Sequence, residues 1–526
     1  MADAQAASAP GAPGSGTAAD ASIGMRREIL VVLPGLLLAI MLAMLDQLIV
    51  GTALPRIVGD LGGVAHLSWV VTAYVLASTI TTPLYGKLGD MYGRKKLFMT
   101  AIVIFLAGSA LAGLSQSMAM LITFRAIQGL GAGGLMVSAI AIIGDLVSPR
   151  ERGQYMGYIM AVMMIATIGG PLLGGWITES FSWRWIFYIN LPIGGVALAY
   201  LAATLKLPKR HIEHRVDYLG AALLAVAATA VVLGATWGGT QYAWLSPQIT
   251  GLGVVAVLSV VAFIWMESRA AEPILPLHIF RSRNFSLVSA LSFLAGLAMF
   301  GAITFLPLYQ QTVQGASPTV SGLLLTPMMV GVMITSLISG QVTTRTGRYR
   351  ALPILGAAGM TIGMYLLSLL GVGTSRVTSA LFMVVLGLGM GFLMQLTTLL
   401  AQNSVEPRDI GVASSSRLFF QQIGGSIGVA AFGAIFARRL QDALTAVSPH
   451  VHIAASGGQL NPATVKALPP VVQHDVFYAI AHAIQGIFLC AIPACALAFL
   501  LTWFLKEVPL RGRARADEPA AAELVG

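Results

Sequence analysis

Long apolar runs alternate with short polar segments along most of the chain. Each run is about 20 residues long, the length that crosses a bilayer as an α-helix. The runs lie near 29–54, 68–85, 98–115, 119–146, 154–178, 185–205, 218–237, 248–266, 285–310, 319–341, 352–372, 377–400, 411–436 and 476–505. Because a membrane-spanning helix satisfies its backbone hydrogen bonds internally, this pattern predicts an all-α membrane protein with fourteen transmembrane helices.

Composition supports a membrane protein, because the chain is 56% hydrophobic and 10% charged, whereas soluble chains average about 25% charged residues. The net charge of +10 could indicate a nucleic-acid-binding protein. The basic residues concentrate, however, in segments such as "GRKK", "SPRERG" and "RTGRYR", which the fourteen spans place on one side. That side is the cytoplasm by the positive-inside rule. We therefore expect an inner or plasma membrane protein with both termini cytoplasmic and no nucleic-acid partner.

The chain also repeats itself. Three segments recur in order: "GKLGDMYGRKK" (86–96) as "GQVTTRTGRYR" (340–350), "GLGAG" (129–133) as "GLGMG" (387–391), and "SPRERG" (148–153) as "EPRDIG" (406–411). The last two pairs share an offset of 258 residues. Two homologous halves around a central site are typical of transporters.

The repeat and the spans together predict a domain organisation. We expect a disordered cytoplasmic tail at 1–27, a six-helix bundle at 28–206, two inserted helices with linkers at 207–284, a second six-helix bundle at 285–505 that includes a long external loop at 437–475, and a cytoplasmic tail at 506–526. The external loop is expected either to form a short helical hairpin or to be mobile.

Five motifs carry a resemblance to a known family. They are "GKLGDMYGRKK" (86–96), "RAIQGLGAG" (125–133), "GGPLLGG" (169–175), "LDQLIVGTALP" (45–55) and "WRWIFYINLPIG" (183–194). Together they resemble the major facilitator superfamily, and within it the fourteen-span drug:proton antiporter branch. The resemblance implies a major facilitator fold, with two six-helix bundles plus two inserted helices.

The first motif lies in a predicted cytoplasmic loop. Gly86 and Gly93 permit a tight turn and a close approach of helices, and Asp90 can cap the next helix or pair with Arg94. The resemblance implies that this loop latches neighbouring helices together. The alternative is that its basic residues only fix topology. In the second half Thr344 replaces the Asp, so we expect a weaker latch there.

The "GGPLLGG" motif lies within the fifth span. Pro171 frees a backbone carbonyl and allows a kink, and Gly170, Gly174 and Gly175 let another helix approach. The resemblance implies an antiporter motif that seals against ion leak. Ordinary packing of small residues is the alternative.

One carboxylate, Asp46, falls in the middle of the first span. A charged group inside the membrane is costly unless it is paired, protonated or hydrated. Arg125 in the fourth span lies at a similar predicted depth, so the two are natural partners. Because a proton-coupled carrier needs a group that binds and releases a proton, Asp46 is the strongest candidate by elimination. The alternative is a static ion pair; His482 is a weaker candidate.

Candidates for substrate contact are polar or aromatic residues within spans of both halves: Tyr74, Trp185, Asn190, Gln395 and Gln421, together with Arg417. Met160, Met163 and Met164 could form a soft, adaptable wall. Packing and lipid contact are the alternatives for every one of these residues.

The sequence therefore predicts a proton-coupled multidrug efflux antiporter rather than an enzyme. It would export amphipathic small molecules, either monovalent cations or neutral compounds, and its partners would be those substrates, protons and membrane lipid. No Gly-x-x-x-x-Gly-Lys-[Ser/Thr] motif occurs, so we expect the proton gradient rather than ATP to drive it. We expect no cofactor, no metal and no catalytic residue, and a periplasmic adaptor is left open. The alternatives are a dedicated exporter of one metabolite, lipid or siderophore, and a membrane sensor that moves nothing.

Overall fold

A computed structural model describes residues 16–62, 66–147, 151–205, 217–239, 241–270, 272–447 and 470–508. These residues form sixteen α-helices, joined by turns and two short 3₁₀ helices. The first seven are α1 (Gly16–Leu61), α2 (Leu67–Tyr92), α3 (Arg94–Gly113), α4 (Met118–Leu146), α5 (Arg152–Ser180), α6 (Trp185–Tyr188) and α7 (Asn190–Thr204). The others are α8 (Tyr218–Trp237), α9 (Pro247–Glu267), α10 (Arg283–Thr312), α11 (Pro318–Leu323), α12 (Thr326–Thr346), α13 (Ala351–Leu367), α14 (Arg376–Asn403), α15 (Ile410–Val447) and α16 (Pro470–Trp503).

Helices occupy all fourteen predicted span positions, but twelve spans among the described residues are long and apolar enough to cross a membrane. The helix α13 has 17 residues, which is short for a bilayer. The helix α2, which includes the hydroxyl-rich stretch Ser78–Thr82, is also not among the twelve. The count of fourteen transmembrane helices therefore stays a prediction.

The repeated glycine motifs occupy equivalent places in the two halves of the chain. A Cβ added at Gly131 would lie 2.6 Å from the carbonyl oxygen of Ala101 in α3, and one added at Gly389 would lie 2.7 Å from that of Gly356 in α13. Glycine at these two positions thus allows α4 to touch α3 and α14 to touch α13. The sequence repeat corresponds to a repeated helix contact.

Each half has its own apolar core. Leu36, Phe98 and Phe105 belong to the core of α1–α7, and Met364 and Phe488 belong to the core of α10–α16. Met160 on α5 packs against both cores. This side of α5 therefore lies where the two halves meet.

The two inserted helices lie against both halves. The helix α8 contacts α2 of the first half and α15 of the second, while α9 packs on α8. The linker after α9 is also anchored. Lys87 on α2 pairs with Glu272 at 2.7 Å, and Glu267 accepts the backbone N–H groups of Ile274 and Leu275, each at 3.2 Å.

The chain ends differ from the expected boundaries. Helix α1 begins at Gly16, so the prediction of a disordered tail over 1–27 is wrong for its last part. The helix of the first span thus extends toward the N-terminus beyond the apolar run that begins near residue 29. Likewise α15 continues to Val447 and α16 begins at Pro470, so both ends of the segment predicted as the external loop 437–475 are helical. Residues 1–15, 448–469 and 509–526 lie outside the described residues.

Candidate functional site

The structure places Asp46 and Arg125 in direct contact. Asp46 is 0% exposed near the middle of α1, Arg125 is 1% exposed on α4, and the Arg125 Nη1 atom lies 2.5 Å from Asp46 Oδ2. The sequence predicts a similar depth for the two residues, from their positions along the first and fourth spans. Their side chains form a fully buried ion pair.

The second carboxylate oxygen of Asp46 is also occupied. Asp46 Oδ1 accepts a hydrogen bond from Gln128 Nε2 and another from Asn190 Nδ2, each at 2.8 Å. Asn190 Nδ2 also donates to Ser109 Oγ at 2.9 Å, and Ser109 Oγ in turn donates to the carbonyl of Phe187 at 2.8 Å. The ionised form of Asp46 thus accepts from three side chains on two other helices, which stabilises its charge.

Arg125 is held on its other faces. Its Nη1 also donates to Gln128 Oε1 at 2.8 Å, and its Nε donates to the carbonyl of Val70 at 3.3 Å. The guanidinium carbon lies 4.1 Å from the ring centroid of Tyr74, within cation–π distance. We call Asp46, Arg125, Gln128, Asn190 and Tyr74 the Asp46 cluster; α1, α2, α4 and α7 build it.

Tyr74 and Asn190 contact the ion pair, and their predicted role in substrate contact stays a prediction. Both side chains are buried, and both are engaged by the ion pair, Tyr74 under Arg125 and Asn190 on Asp46. They position the charged pair. Gln128 was not predicted, although it lies three residues after Arg125 and therefore on the same helix face. That spacing was the signal available in the sequence.

The remaining candidates for substrate contact lie apart from this cluster. Trp185 is 55% exposed and packs edge-on against Tyr188. Gln395 and Gln421 are buried on α14 and α15, and Gln421 Nε2 lies 3.7 Å from Met299 Sδ. Trp185 lies on α6 in the first half of the chain, whereas Gln395 and Gln421 lie in the second half. His482 is exposed and stacks on Tyr478, away from the core.

The loop 86–96 marks one end of the helical bundle, which we call the signature end. Asp90 Oδ1 accepts from Arg94 at 2.8 Å, while Asp90 Oδ2 accepts the backbone N–H of Val412 at 3.0 Å. Arg94 also pairs with Asp145 at 2.9 Å. Asp90 therefore connects α2 of the first half to α15 of the second, and its role as a conformational latch stays a prediction.

Glycines make this contact close. A Cβ added at Gly86 would lie 2.7 Å from the carbonyl oxygen of Gly411, and one at Gly411 would lie 2.6 Å from Asp90 Oδ2. Gly93 has a φ of 96°, a conformation that L side chains rarely adopt. Its conformation turns the chain between α2 and α3. Asp90 lies beyond the predicted span, and burial raises its pKa to about 6, although Arg94 and the Val412 N–H oppose that shift.

A second link between the halves lies at the same end and was not predicted. Arg152 at the start of α5 donates from Nη1 to Gln402 Oε1 on α14 at 3.2 Å, and from Nε to the carbonyl of Val147 at 3.1 Å. Gln402 Nε2 donates to Ser414 Oγ at 2.9 Å. Arg152 belongs to the repeated "SPRERG" segment, but its partner comes from the other half and left no local signal.

The "GGPLLGG" motif packs α5 against α1. The α1 residues that it contacts, Leu48 and Ile49, follow Asp46 closely in sequence. A Cβ added at Gly170 would lie 2.7 Å from Leu48 Cβ, and one at Gly174 would lie 2.9 Å from the carbonyl oxygen of Ile49. Pro171 lies within α5, and Gly175 is half-buried. The motif provides close packing beside the helix that carries the charged pair; its sealing role is untested.

Residues 36–429 match the family model of the Major Facilitator Superfamily. The chain belongs to the major facilitator superfamily. This protein is thus a multi-pass membrane transporter of that superfamily. The superfamily part of the resemblance is confirmed, and the fourteen-span branch stays a prediction.

Relatives share much of the sequence of this major facilitator protein. It is 41% identical over 490 residues to an uncharacterized MFS-type transporter of Mycobacterium tuberculosis, covering 92% of this chain and 70% of the relative. It is 40% identical over 422 residues to the multidrug transporter protein MdtP of Bacillus subtilis, covering 80% and 78%. Multidrug resistance protein 3 of the same bacterium is 36% identical over 496 residues, covering 92% and 97%.

Two solved structures share the fold. The proton:xylose symporter XylE superposes with a TM-score of 0.62 at 14% identity, covering 92% of this chain and 98% of that one. The human organic anion transporter MFSD10 superposes with a TM-score of 0.60 at 15% identity, covering 91% and 99%. At such low identity the likeness establishes the all-helical major facilitator fold alone.

Proposed function

We propose that this transporter is a proton-coupled antiporter that exports amphipathic small molecules, monovalent cations or neutral compounds, across the inner or plasma membrane. It would belong to the fourteen-span branch, with the signature end and both termini in the cytoplasm. The observation that carries the proposal is the buried Asp46 cluster, because a proton-driven carrier needs an ionisable group inside the membrane.

Asp46 stands out among the acids of the described spans. The other Asp and Glu residues within the twelve candidate spans lie within three residues of a span end. Asp46 instead lies well inside the span Ile29–Leu54. Asp46 is therefore the one carboxylate well inside the described candidate spans that is available to bind a proton during the transport cycle.

The hydrogen bonds around Asp46 explain how a proton would change the conformation. Protonation converts one carboxylate oxygen from an acceptor into a donor, while Gln128 and Asn190 still present N–H groups to it. It also removes the counter-charge of Arg125, and a buried unpaired charge is strongly unfavourable. Arg125 would then have to move, and α4 would shift relative to α1.

The two links at the signature end support a state that is closed toward the cytoplasm. Asp90 bonds Val412, and Arg152 bonds Gln402, each across the two halves. Breaking both links would be required to admit a substrate from the cytoplasm. Relatives whose names contain "multidrug", at 36% to 40% identity, support the substrate class.

Proteoliposomes with an imposed proton gradient test the proposal. Asp46→Asn fixes a neutral side chain and should abolish gradient-driven efflux of a fluorescent cation such as ethidium, while the protein still inserts. The matched control is Glu179→Gln, which removes an exposed carboxylate at the end of α5 and should keep efflux unchanged. Wild-type, gradient-dependent efflux in Asp46→Asn would refute the coupling role.

A toxicity panel separates the two alternative functions. Protection against one compound class only would favour a dedicated exporter of a metabolite, lipid or siderophore. Binding without any gradient-dependent flux would favour a sensor. Protection against several unrelated amphiphiles is the result that the proposal expects.

A further inference from the structure

Arg417 is a buried cation with few polar contacts among the described residues. It lies on α15 within the candidate span Pro407–Ala443 and is 4% exposed. Its Nε donates to Thr397 Oγ1 on α14 at 3.4 Å, and this is its one hydrogen bond among the described residues. The described residues place no carboxylate within ion-pair distance of it.

The other buried arginines of the described chain are satisfied. Arg125 pairs with Asp46, Arg94 pairs with Asp90 and Asp145, and Arg152 donates to Gln402 and to backbone carbonyls. Arg417 alone among these four keeps both terminal nitrogens without a hydrogen-bond partner in the described structure. An isolated buried charge is costly. A bound ligand with a negative charge would offset that cost for Arg417.

The second half of the chain cannot easily supply a counter-charge of its own. Helices α10 to α14 contain no Asp or Glu. Thr397 donates its own hydroxyl proton to the carbonyl of Met394 at 3.0 Å, and so offers Arg417 a lone pair. This bond orients Nε toward α14 and leaves the Nη1 and Nη2 pair as an end-on fork. Such a fork matches the two oxygens of a carboxylate or phosphate.

The site has no equivalent in the first half. At the repeat offset of 258 residues, the counterpart of Arg417 is Ile159. Gln421, one turn further along α15, is also buried and lies against Met299 of α10. Arg417 and Gln421 therefore form a polar face of α15 that contacts α14 and α10. The first half holds the anionic Asp46 instead.

We propose that Arg417 binds the oxyanion of an amphiphile, a carboxylate or a phosphate, through its two terminal nitrogens. This inference rests on the proposed export of amphipathic molecules and adds singly anionic ones to the cationic and neutral classes. The same chemistry is present in a transported substrate and in the headgroup of a phospholipid.

The binding test uses the purified full chain in detergent without added phospholipid, at pH 7.5. The probes are dansylglycine and its methyl ester, which share one body and differ in the carboxylate. Dansyl fluorescence gives the dissociation constants. We expect wild-type protein to bind the acid about tenfold more tightly than the ester, since a charge-assisted bidentate contact is lost with the ester.

Variants assign that preference to Arg417. Arg417→Gln should bring the two dissociation constants together by weakening the acid, with the ester unchanged. Arg417→Lys keeps the charge without the fork and should show an intermediate preference. The matched control is Arg345→Gln, which removes an exposed arginine at the end of α12 and should retain the full preference.

Two further measurements distinguish the source of the oxyanion. Gradient-driven flux of dansylglycine in proteoliposomes, lost in Arg417→Gln, identifies a transported substrate. Displacement of dansylglycine by phosphatidylglycerol, without such flux, identifies a lipid headgroup.

Equal affinities of wild-type protein for acid and ester would overturn the inference, as would a preference that survives in Arg417→Gln. The comparison of the two probes on wild-type protein needs no variant, so it decides the question even if Arg417→Gln does not fold. The binding assay also needs no gradient. If no probe showed flux, that result would count against the proposed function. The binding comparison would still decide whether Arg417 binds an oxyanion.

Discussion

At the scale of single residues, the Asp46 cluster shows how one charge is kept in an apolar bundle. Asp46 accepts from Arg125, Gln128 and Asn190, and these donors come from α4 and α7. A lost donor to a buried charged group costs roughly 1.5–3 kcal/mol. The ionised state is thus tuned by neutral amides as well as by the arginine.

The first prediction concerns Gln128. Gln128→Leu removes one donor from Asp46 and one acceptor from Arg125, so it should lower the rate of gradient-driven efflux by about tenfold. The measurement is initial efflux from proteoliposomes with matched protein content. Gln248→Leu, an equivalent change at an exposed position of α9, should leave the rate unchanged. An unaltered rate in Gln128→Leu would show that the amide does not tune the pair.

At the scale of secondary-structure elements, the approach of α2 to α15 depends on glycines that leave no room for a side chain. Gly411 faces Asp90, whereas Gly433, further along the same helix, has no neighbouring atom within 4 Å of an added Cβ. This contrast provides a matched pair of positions on one helix.

The second prediction is that Gly411→Ala opens the signature end. The added methyl group would lie 2.6 Å from Asp90 Oδ2, so the Val412 N–H bond should break and α2 should move away from α15. Spin labels at the exposed residues Lys96 and Arg408, with Cys490 and Cys495 replaced, would give the distance between these two positions by electron paramagnetic resonance. Gly433→Ala should leave the distance distribution as in the wild type. An unchanged distribution in Gly411→Ala would contradict the latch.

The third prediction concerns pH. In the closed arrangement the pKa of Asp90 is about 6, and opening to water would return that pKa toward the ordinary Asp value of about 4. The closed state therefore binds the proton more tightly, so acidification favours closure between those two values. From pH 7.5 to pH 5 the ratio of closed to open should rise about tenfold. The same spin-label pair reports this ratio in an Asp46→Asn background, which removes the proposed contribution of Asp46, and adding Asp90→Asn should then remove the pH dependence.

At the scale of the whole molecule, the inserted pair α8 and α9 bridges two bundles that already contact each other at the signature end. Asp46, Arg125 and Arg417 all lie outside the insert. The insert therefore contributes contacts between the halves and no group of the candidate sites.

The fourth prediction is that the insert is dispensable for coupling. Deleting residues 212–268 with a replacement linker should preserve gradient-dependent efflux, although it should lower thermal stability because the contacts of α8 with α2 and α15 are lost. Efflux in proteoliposomes and thermal unfolding of the purified chain measure the two effects. The same deletion combined with Asp46→Asn gives the background efflux that is not coupled to the proton gradient. A stable, inserted deletion without flux would contradict the prediction.

The sequence by itself determined the helical positions, the internal repeat, the superfamily and the partnership of Asp46 with Arg125. These are properties of local hydropathy and of short motifs, and the depth of a residue follows from counting along a straight span. The repeated glycines at 131 and 389 are also visible in the sequence, and the structure shows which helix each of them contacts.

Only the tertiary structure decided which side chains surround each charge. Asp90 meets the N–H of Val412 across 322 positions of sequence, and Tyr74 and Asn190, predicted as substrate contacts, contact the Asp46 and Arg125 side chains. The isolation of Arg417 is of the same kind, since among the described residues its one hydrogen-bond partner is Thr397 of α14. Such contacts depend on how each helix is rotated and how closely it packs, and these follow from the whole bundle rather than from any one segment.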